Sequence, residues 1–205
     1  MRKKFTPWLL SAFSTMIILV SVSCKKGKQP DSSLPDIPEA KLEYFDLSNR
    51  IIKGSAPGFT IDVNHDGRSD LAFTTLLVGD PIYQVDKLQF LVSSNIQINL
   101  PVDINEQIPV MNMGDPIVVD DFNGYRWFQL STIVLTQKIV SLTQPPVWEG
   151  NWTSALHKYV PFQVAVNNQR YNGWVELTVD IVNERIILYK AAISREDGKI
   201  VKAGN

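Results

Sequence analysis

Residues 160–181 read VPFQVAVNNQRYNGWVELTVDI, and this stretch decides the fold class. Apolar residues occupy every second position over 160–166 and again over 173–181. A period of two is the pattern of a β-strand that turns one face to a core. The polar residues 167–170 between the two halves are typical of a hairpin turn. The stretch therefore predicts two neighbouring antiparallel strands.

The same strand signal continues on both sides of this hairpin, from about Lys41 to the C-terminus. Residues 125–140 are apolar on both faces in places, which suggests a strand buried on two sides. The best helical candidate is the short stretch 153–158. Regularly spaced short strands with polar turns between them predict an all-β fold, an antiparallel, jelly-roll-like β-sandwich that forms a single domain over 41–205. The other strand-like runs are 59–63, 71–73, 83–92, 96–100 and 186–189.

Residues 1–23 have the layout of a secretory signal peptide. Arg2, Lys3 and Lys4 precede an apolar run over 5–22 that serine and threonine residues interrupt. A membrane-spanning helix needs about 20 mostly apolar residues, and this run is too short and too broken for one. A positive start, an apolar centre and small residues at the end together predict an exported protein.

The chain has a single cysteine, Cys24, and it stands where the apolar run stops. Ser23 and Cys24 resemble the end of the lipobox of bacterial lipoproteins, although Ser21 stands where that motif usually has leucine. The resemblance implies that Cys24 becomes the first residue of the mature protein and carries acyl chains such as palmitate. It also implies anchoring in the bacterial cell envelope, with the outer membrane as the expected site. The alternative is an ordinary signal peptide followed by an incidental cysteine.

Residues 24–40 hold Cys24 and a linker that contains Pro30, Pro35 and Pro38 but no aromatic residue. Such a composition predicts a semi-extended spacer that holds the domain off the membrane surface. Removal of residues 1–23 would take the net charge from −1 to about −4. A body of this charge fits anchoring by lipid better than by a basic face. It also argues against nucleic acid as a partner, because no excess of cations is present.

Residues 62–70 read DVNHDGRSD, and this is the one stretch whose chemistry points to a metal. Calcium takes roughly six to eight oxygen ligands. Alternate side chains of the stretch can turn their oxygens to one point, and Gly67 permits the sharp turn this requires. The expected Ca²⁺ ligands are Asp62, Asn64, Asp66, the backbone carbonyl of Arg68, and Asp70 either directly or through water.

The stretch resembles the calcium loops of FG-GAP type repeats, dockerins and thrombospondin type 3 modules. It departs from the EF-hand, because Phe73 stands at the twelfth position in place of the bidentate glutamate. The alternative is a plain hairpin turn with Asp66 and Gly67 at its tip. His65 is expected to point to solvent.

Residues 171–177, YNGWVEL, resemble the Y-x-G-W-V-x-L strand near the end of a group of small secreted bacterial lipoproteins. Many members of that group also have a D-x-N-x-D-G loop upstream. The resemblance implies a β-sandwich and no known activity. Gly173 is expected to let a neighbouring chain approach closely, and Trp174 is expected to pack in the core.

Two tryptophans, Trp148 and Trp152, lie in a loop that contains glycine and asparagine, and form a candidate ligand platform. They would either stack on sugar rings or cap one end of the sandwich. Enzyme chemistry has little support, because the chain has only two histidines and no G-x-S-x-G motif. Glu149 and Glu176 are a carboxylate pair that a glycosidase would need, but nothing in the sequence brings them together.

The sequence thus predicts a lipid-anchored, non-catalytic, calcium-binding β-sandwich with a surface or periplasmic role in binding or assembly. Its partner would be a glycan or a protein. A carbohydrate-binding lipoprotein is the first alternative, and a glycoside hydrolase is the second.

Overall fold

The computed structural model describes residues 40–54 and 56–205, so the predicted signal peptide and almost all of the linker lie outside it. Over the described residues the chain is built from β-strands and turns. None of these residues belongs to a helix long and apolar enough to cross a membrane. The strands are β1 Leu42–Lys53, β2 Phe59–Ile61, β3 Leu71–Asp80, β4 Val85–Ser94, β5 Ile98–Val102, β6 Pro116–Ile117, β7 Arg126–Gln129, β8 Thr132–Ser141, β9 Val147–Glu149, β10 Lys158–Val166, β11 Gln169–Asp180, β12 Arg185–Ser194 and β13 Val201–Lys202.

Two large antiparallel sheets account for most of these strands. One has the order β1-β12-β11-β10-β5-β7, and the other has the order β2-β3-β4-β8-β9. The remaining strands, β6 and β13, form a small two-stranded ribbon. The prediction of an all-β, antiparallel β-sandwich is therefore confirmed.

The main core lies between the two large sheets. Phe73 and Phe90 of the five-stranded sheet belong to the same buried cluster as Phe162 and Val175 of the six-stranded sheet. These are the alternating apolar positions that the strand pattern places on one face. Burying each such side chain contributes about 1.5–3 kcal/mol, so this interface dominates the stability of the fold.

The hairpin at residues 160–181 forms as the sequence predicts. Strands β10 and β11 pair from Lys158 with Leu177 to Val166 with Gln169, so the turn consists of two residues. Those residues, Asn167 and Asn168, both have positive φ, at 50° and 62°. A two-residue turn of this kind matches the twist of the strands, and asparagine tolerates the left-handed conformation better than most residues.

The outer face of the six-stranded sheet is also covered, which the strand pattern did not predict. A second buried cluster there joins Tyr159 and Trp174 to Ile117, Val201 and Ala203, which belong to the β6–β13 ribbon and the C-terminus. Polar positions of β11 on this face are buried as well, with Glu176 only 7% and Thr178 only 8% exposed, and both contact His157.

Two buried amides bind this outer layer to the sheet. Asn172 of β11 is fully buried and its Nδ2 donates hydrogen bonds to the carbonyl oxygens of Ile117, at 3.1 Å, and Lys199, at 2.9 Å. Gln163 of β10 donates through Nε2 to Asn172 Oδ1 and to the Val119 carbonyl, both at 2.9 Å. These hydrogen bonds give partners to backbone carbonyl groups of the outer layer, at Ile117, Val119 and Lys199, that pack against the sheet.

Two local predictions were wrong, each for a structural reason. Residues 125–140 do not form one strand but divide at Leu130, whose φ is +51°, into β7 of one sheet and β8 of the other. Residues 153–158 contain turns and bends in place of a helix. Strand β1 was not among the predicted strand runs, and a bulge between Asp46 and Arg50 shifts its register.

Gly173 lies where two neighbours leave no space for a side chain, as predicted. A Cβ atom there would overlap the ring of Phe162 and lie 2.5 Å from the carbonyl oxygen of Ala192. Gly79, which also lies in a strand, would place its Cβ at an ordinary 3.6 Å from Asp86 Oδ1.

We therefore expect Gly173→Ala to lower the free energy of unfolding by about 1–3 kcal/mol or more, since the added methyl group overpacks a buried contact. Urea denaturation of both glycine variants measures the difference. Gly79→Ala should stay close to the wild type. Equal stability of the two variants would contradict the close approach at Gly173.

Candidate functional site

The predicted calcium loop, residues 62–70, connects β2 to β3 at one end of the five-stranded sheet. Its base is closed by the last pair of the ladder, Ile61 with Leu71, and by a hydrogen bond of 2.8 Å from Asp70 N to the Ile61 carbonyl. The loop is therefore held between two antiparallel strands.

Side-chain oxygens of the loop bind the backbone of the loop itself. Gly67 N donates to Asp62 Oδ2, Asp66 N donates to Asn64 Oδ1, and Arg68 N donates to Asp66 Oδ1, each at 2.9 Å. Gly67 has a φ of +81° and no atom within 4 Å of where its Cβ would be. Glycine adopts this φ without strain, so the loop can curl around its own side chains.

One carboxylate oxygen of the loop lacks a partner. Asp62 Oδ1 is buried and accepts no hydrogen bond from any described residue. An unsatisfied acceptor costs about 1–3 kcal/mol, and more when it carries charge. A bound cation would remove this cost.

Asp70 differs from Asp62 and Asp66 because both of its carboxylate oxygens already accept hydrogen bonds. Oδ2 accepts hydrogen bonds from Val63 N at 2.9 Å and Asn64 N at 3.2 Å, and Oδ1 accepts one from Asn95 Nδ2 at 2.8 Å. The side chain is 1% exposed, and this burial raises its pKa despite those hydrogen bonds, with the charge of Asp62 adding to the rise. This geometry indicates a residue that braces the loop and not a free metal ligand.

Asn95 is the part of this loop's framework that sequence reasoning missed. Besides its bond to Asp70, its Nδ2 donates to the Ser69 carbonyl at 3.0 Å and its backbone N donates to the Asp70 carbonyl at 2.9 Å. The residue follows β4, far along the chain, and no motif marks it. Only the pairing of β3 with β4 brings it to the loop.

The donors available to a cation are therefore mixed. Within residues 40–54 and 56–205, no three carboxylate, imidazole or thiolate side chains converge as a ready metal-binding group. The oxygen donors of the loop nonetheless match the ligand preference of calcium, because Asp62 Oδ1 is unpartnered and Asn64 and Asp66 supply further oxygens. Calcium accepts amide and backbone carbonyl oxygens as well as carboxylates.

His65 points outward, as expected. Its side chain is exposed, its φ is +59°, and its Nε2 lies 3.1 Å from Glu43 Oε1. The ring also lies 5.4 Å from that of Phe45. His65 thereby connects the loop 62–70 to β1.

The two tryptophans of the candidate ligand platform do not form an exposed pair. Trp152 is fully buried, and its Nε1 donates to the Ile108 carbonyl at 3.2 Å. Trp148 is half-buried and stacks on the core residue Phe90 at 5.8 Å. Both rings pack on the core side, so the capping interpretation accounts for them and the shared sugar platform was wrong.

Glu149 and Glu176 lie on opposite sides of the sandwich. Glu149 continues a row of polar side chains on the outer face of the five-stranded sheet, where Gln137 Nε2 donates to it at 3.3 Å. Glu176 lies on the outer face of the six-stranded sheet, and its Oε1 accepts a hydrogen bond of 2.7 Å from His157 Nδ1. These two carboxylates cannot flank one glycosidic bond.

Cys24, the predicted lipidation site, lies outside the described residues. Neither the comparison with protein-family models, nor that with curated proteins, nor that with solved structures finds a match.

Proposed function

We propose that this protein is a lipid-anchored, non-catalytic binding protein of the bacterial cell envelope whose sandwich is stabilised by one calcium ion in the loop 62–70. The observation that carries the calcium assignment is the buried, unpartnered Asp62 Oδ1 in a loop of oxygen donors. Its binding or assembly role is exerted by the surface of the sandwich.

In this proposal the ion binds Asp62, Asn64, Asp66 and the Arg68 carbonyl, with water completing the shell. Asp70 is not among the proposed ligands, because both of its carboxylate oxygens already accept hydrogen bonds, whereas Asp62 and Asp66 each keep one oxygen without one. It holds the backbone at Val63 and Asn64 in the curled form. Calcium here would be structural: it would offset the unpartnered carboxylate and join the two strands at this end of the sheet.

Calcium is expected to raise the melting temperature of the protein and a chelator is expected to lower it. An ion that binds only the folded state stabilises it by about 2.7 kcal/mol at a hundred times Kd. Thermal melts of the full chain in detergent, with millimolar Ca²⁺ or with EGTA, measure this shift. Identical melting temperatures under both conditions would show that the loop is a plain turn that does not bind calcium.

The same melts distinguish Asp66, a proposed calcium ligand, from Asp70, which stabilises the loop through hydrogen bonds. Asp66→Ala should abolish the calcium shift and change the calcium-free melt little, because Asp66 is exposed. Asp70→Ala should cost about 1–3 kcal/mol even without calcium, since it leaves the Val63 and Asn64 N–H groups unpaired. Asp103, which accepts from Asn105 N at 2.9 Å and Gln107 N at 2.8 Å, forms a similar turn elsewhere.

Asp103→Ala is therefore the matched control: it should lower stability slightly and leave the calcium shift intact. A calcium shift that survives Asp66→Ala, or one that disappears in Asp103→Ala, would contradict the proposed ligands.

The lipid anchor rests on Cys24, which follows the predicted signal peptide directly. Each buried methylene contributes about 0.8 kcal/mol to membrane binding. One acyl chain therefore binds only reversibly, and two or more anchor the protein stably. In this proposal the predicted linker, which ends at residue 40, would hold the domain off the bilayer.

Cys24→Ser is expected to release the protein from the membrane fraction and to prevent incorporation of labelled palmitate. Membrane fractionation after metabolic labelling of bacterial cells tests both. Ser23→Ala, which keeps a small residue before the cysteine, should be labelled like the wild type. Equal labelling of the Cys24→Ser protein would show that the anchor is elsewhere or absent.

A further inference from the structure

A polar cleft opens on the outer face of the six-stranded sheet, beside its edge strand β7. It has a volume of about 510 Å³. No residue of the calcium loop takes part in it, and neither Trp148 nor Trp152 does. Its lining residues are Asn99, Asp120, Asp121, Trp127, Gln163 and Arg170.

The indole of Trp127 forms an aromatic wall of this cleft in a fixed orientation. Its Nε1 donates to the Asp120 carbonyl at 3.2 Å, and the backbone N of Trp127 donates to Asp121 Oδ1 at 3.1 Å. The ring of Phe122 lies 6.0 Å from it. Because hydrogen bonds already fix both the indole and the backbone of Trp127, little side-chain entropy is lost when a ligand stacks on the ring.

The floor of the cleft is rigid as well. Gln163 is 1% exposed, and its Nε2 is bound to Val119 and Asn172 as described above. Its Oε1 accepts from Asn99 Nδ2 at 3.2 Å. Asn99 is consequently held with its amide at the cleft, and its Oδ1 accepts no hydrogen bond from the described residues.

Arg170 and the two aspartates supply the remaining polar groups. Arg170 Nη1 donates to the Val119 carbonyl at 3.1 Å and to Asp120 Oδ1 at 2.9 Å, which orients the guanidinium and leaves other N–H groups for a ligand. Asp120 and Asp121 each have a second carboxylate oxygen beyond those hydrogen bonds. The cleft therefore offers donors and acceptors side by side.

These features together favour a neutral, polyhydroxylated ligand. With one cation against two carboxylates, the lining carries a net negative charge, which disfavours phosphate and other anions. Vicinal hydroxyl groups both donate and accept, so they match the alternation of amide, guanidinium and carboxylate. The apolar C–H face of a sugar ring matches the face of an indole.

We propose that this cleft is a binding site for a neutral oligosaccharide, with one sugar ring stacked on Trp127 and its hydroxyl groups bound by Asn99, Asp120 and Arg170. The proposal gives a ligand class to the binding role proposed above and rests on that role, but it does not depend on the calcium loop. Stacking supplies contact area, and the polar groups select the ring's hydroxyl pattern.

The test uses the full chain in detergent against immobilised tetrasaccharides. The neutral probes are cellotetraose, xylotetraose, mannotetraose and maltotetraose, and the acidic probe is tetragalacturonate. We expect at least one neutral probe to bind and tetragalacturonate not to bind. Calorimetry with the best soluble probe then gives the affinity of each variant.

Trp127→Ala should abolish measurable binding. Phe128→Ala is the matched control, because Phe128 is the next residue of the same edge strand, is 50% exposed, and lies on the opposite face of the sheet. It should bind like the wild type. Asp120→Ala should weaken binding about tenfold, as expected for loss of one hydrogen bond to a charged group. Its side chain is 85% exposed, so the fold should tolerate the change even where Trp127→Ala does not.

Binding of none of the neutral probes, binding of tetragalacturonate alone, or wild-type affinity in Asp120→Ala would each overturn the proposal. So would equal loss of binding in Phe128→Ala and Trp127→Ala. Calcium melts are measured on the same preparations, so failure of the sugar site and failure of the calcium site are seen separately.

Discussion

The buried amide pair of Gln163 and Asn172 holds a second layer on the outer face of the six-stranded sheet, and much of the molecule depends on it. Without these two side chains, the carbonyl groups of Ile117 and Lys199 would lose their side-chain partners, and that of Val119 would keep only Arg170. Buried backbone groups in that state are costly, so an apolar replacement would weaken the layer even though it suits the core. Both amides are also bound to each other, which fixes their orientation.

This arrangement separates the two candidate sites physically. The loop 62–70 closes one end of the five-stranded sheet, and its framework comes from β2, β3 and Asn95. The cleft at Trp127 lies on the outer face of the other sheet, and its floor is the buried amide pair. The first is suited to a hard cation because it is a curl of oxygens with one carboxylate oxygen unsatisfied. The second is suited to a neutral ligand because its charges are few, of both signs, and already paired in part.

The sequence predicted correctly several features that depend on a single hairpin or loop. The β10–β11 hairpin followed from alternation and two asparagines, and the loop 62–70 lies between two strands, as its strand-like flanks indicate. Gly173 was expected to accept a close neighbour, and Phe162 and Ala192 are those neighbours. The prediction of one strand failed at residues 125–140, where the chain leaves one sheet for the other.

The sequence by itself determined the fold class, the hairpin and the oxygen-rich loop, because each depends on residues close together in the chain and on period-two patterning. Only the tertiary structure decided which faces are covered, since burial on both sides of β11 arises from segments that are distant in sequence. It also separated Glu149 from Glu176 and brought Asn99, Asp120, Trp127 and Arg170 to one cleft. Strand pairing and layer packing set those distances, and no local pattern of residues encodes them.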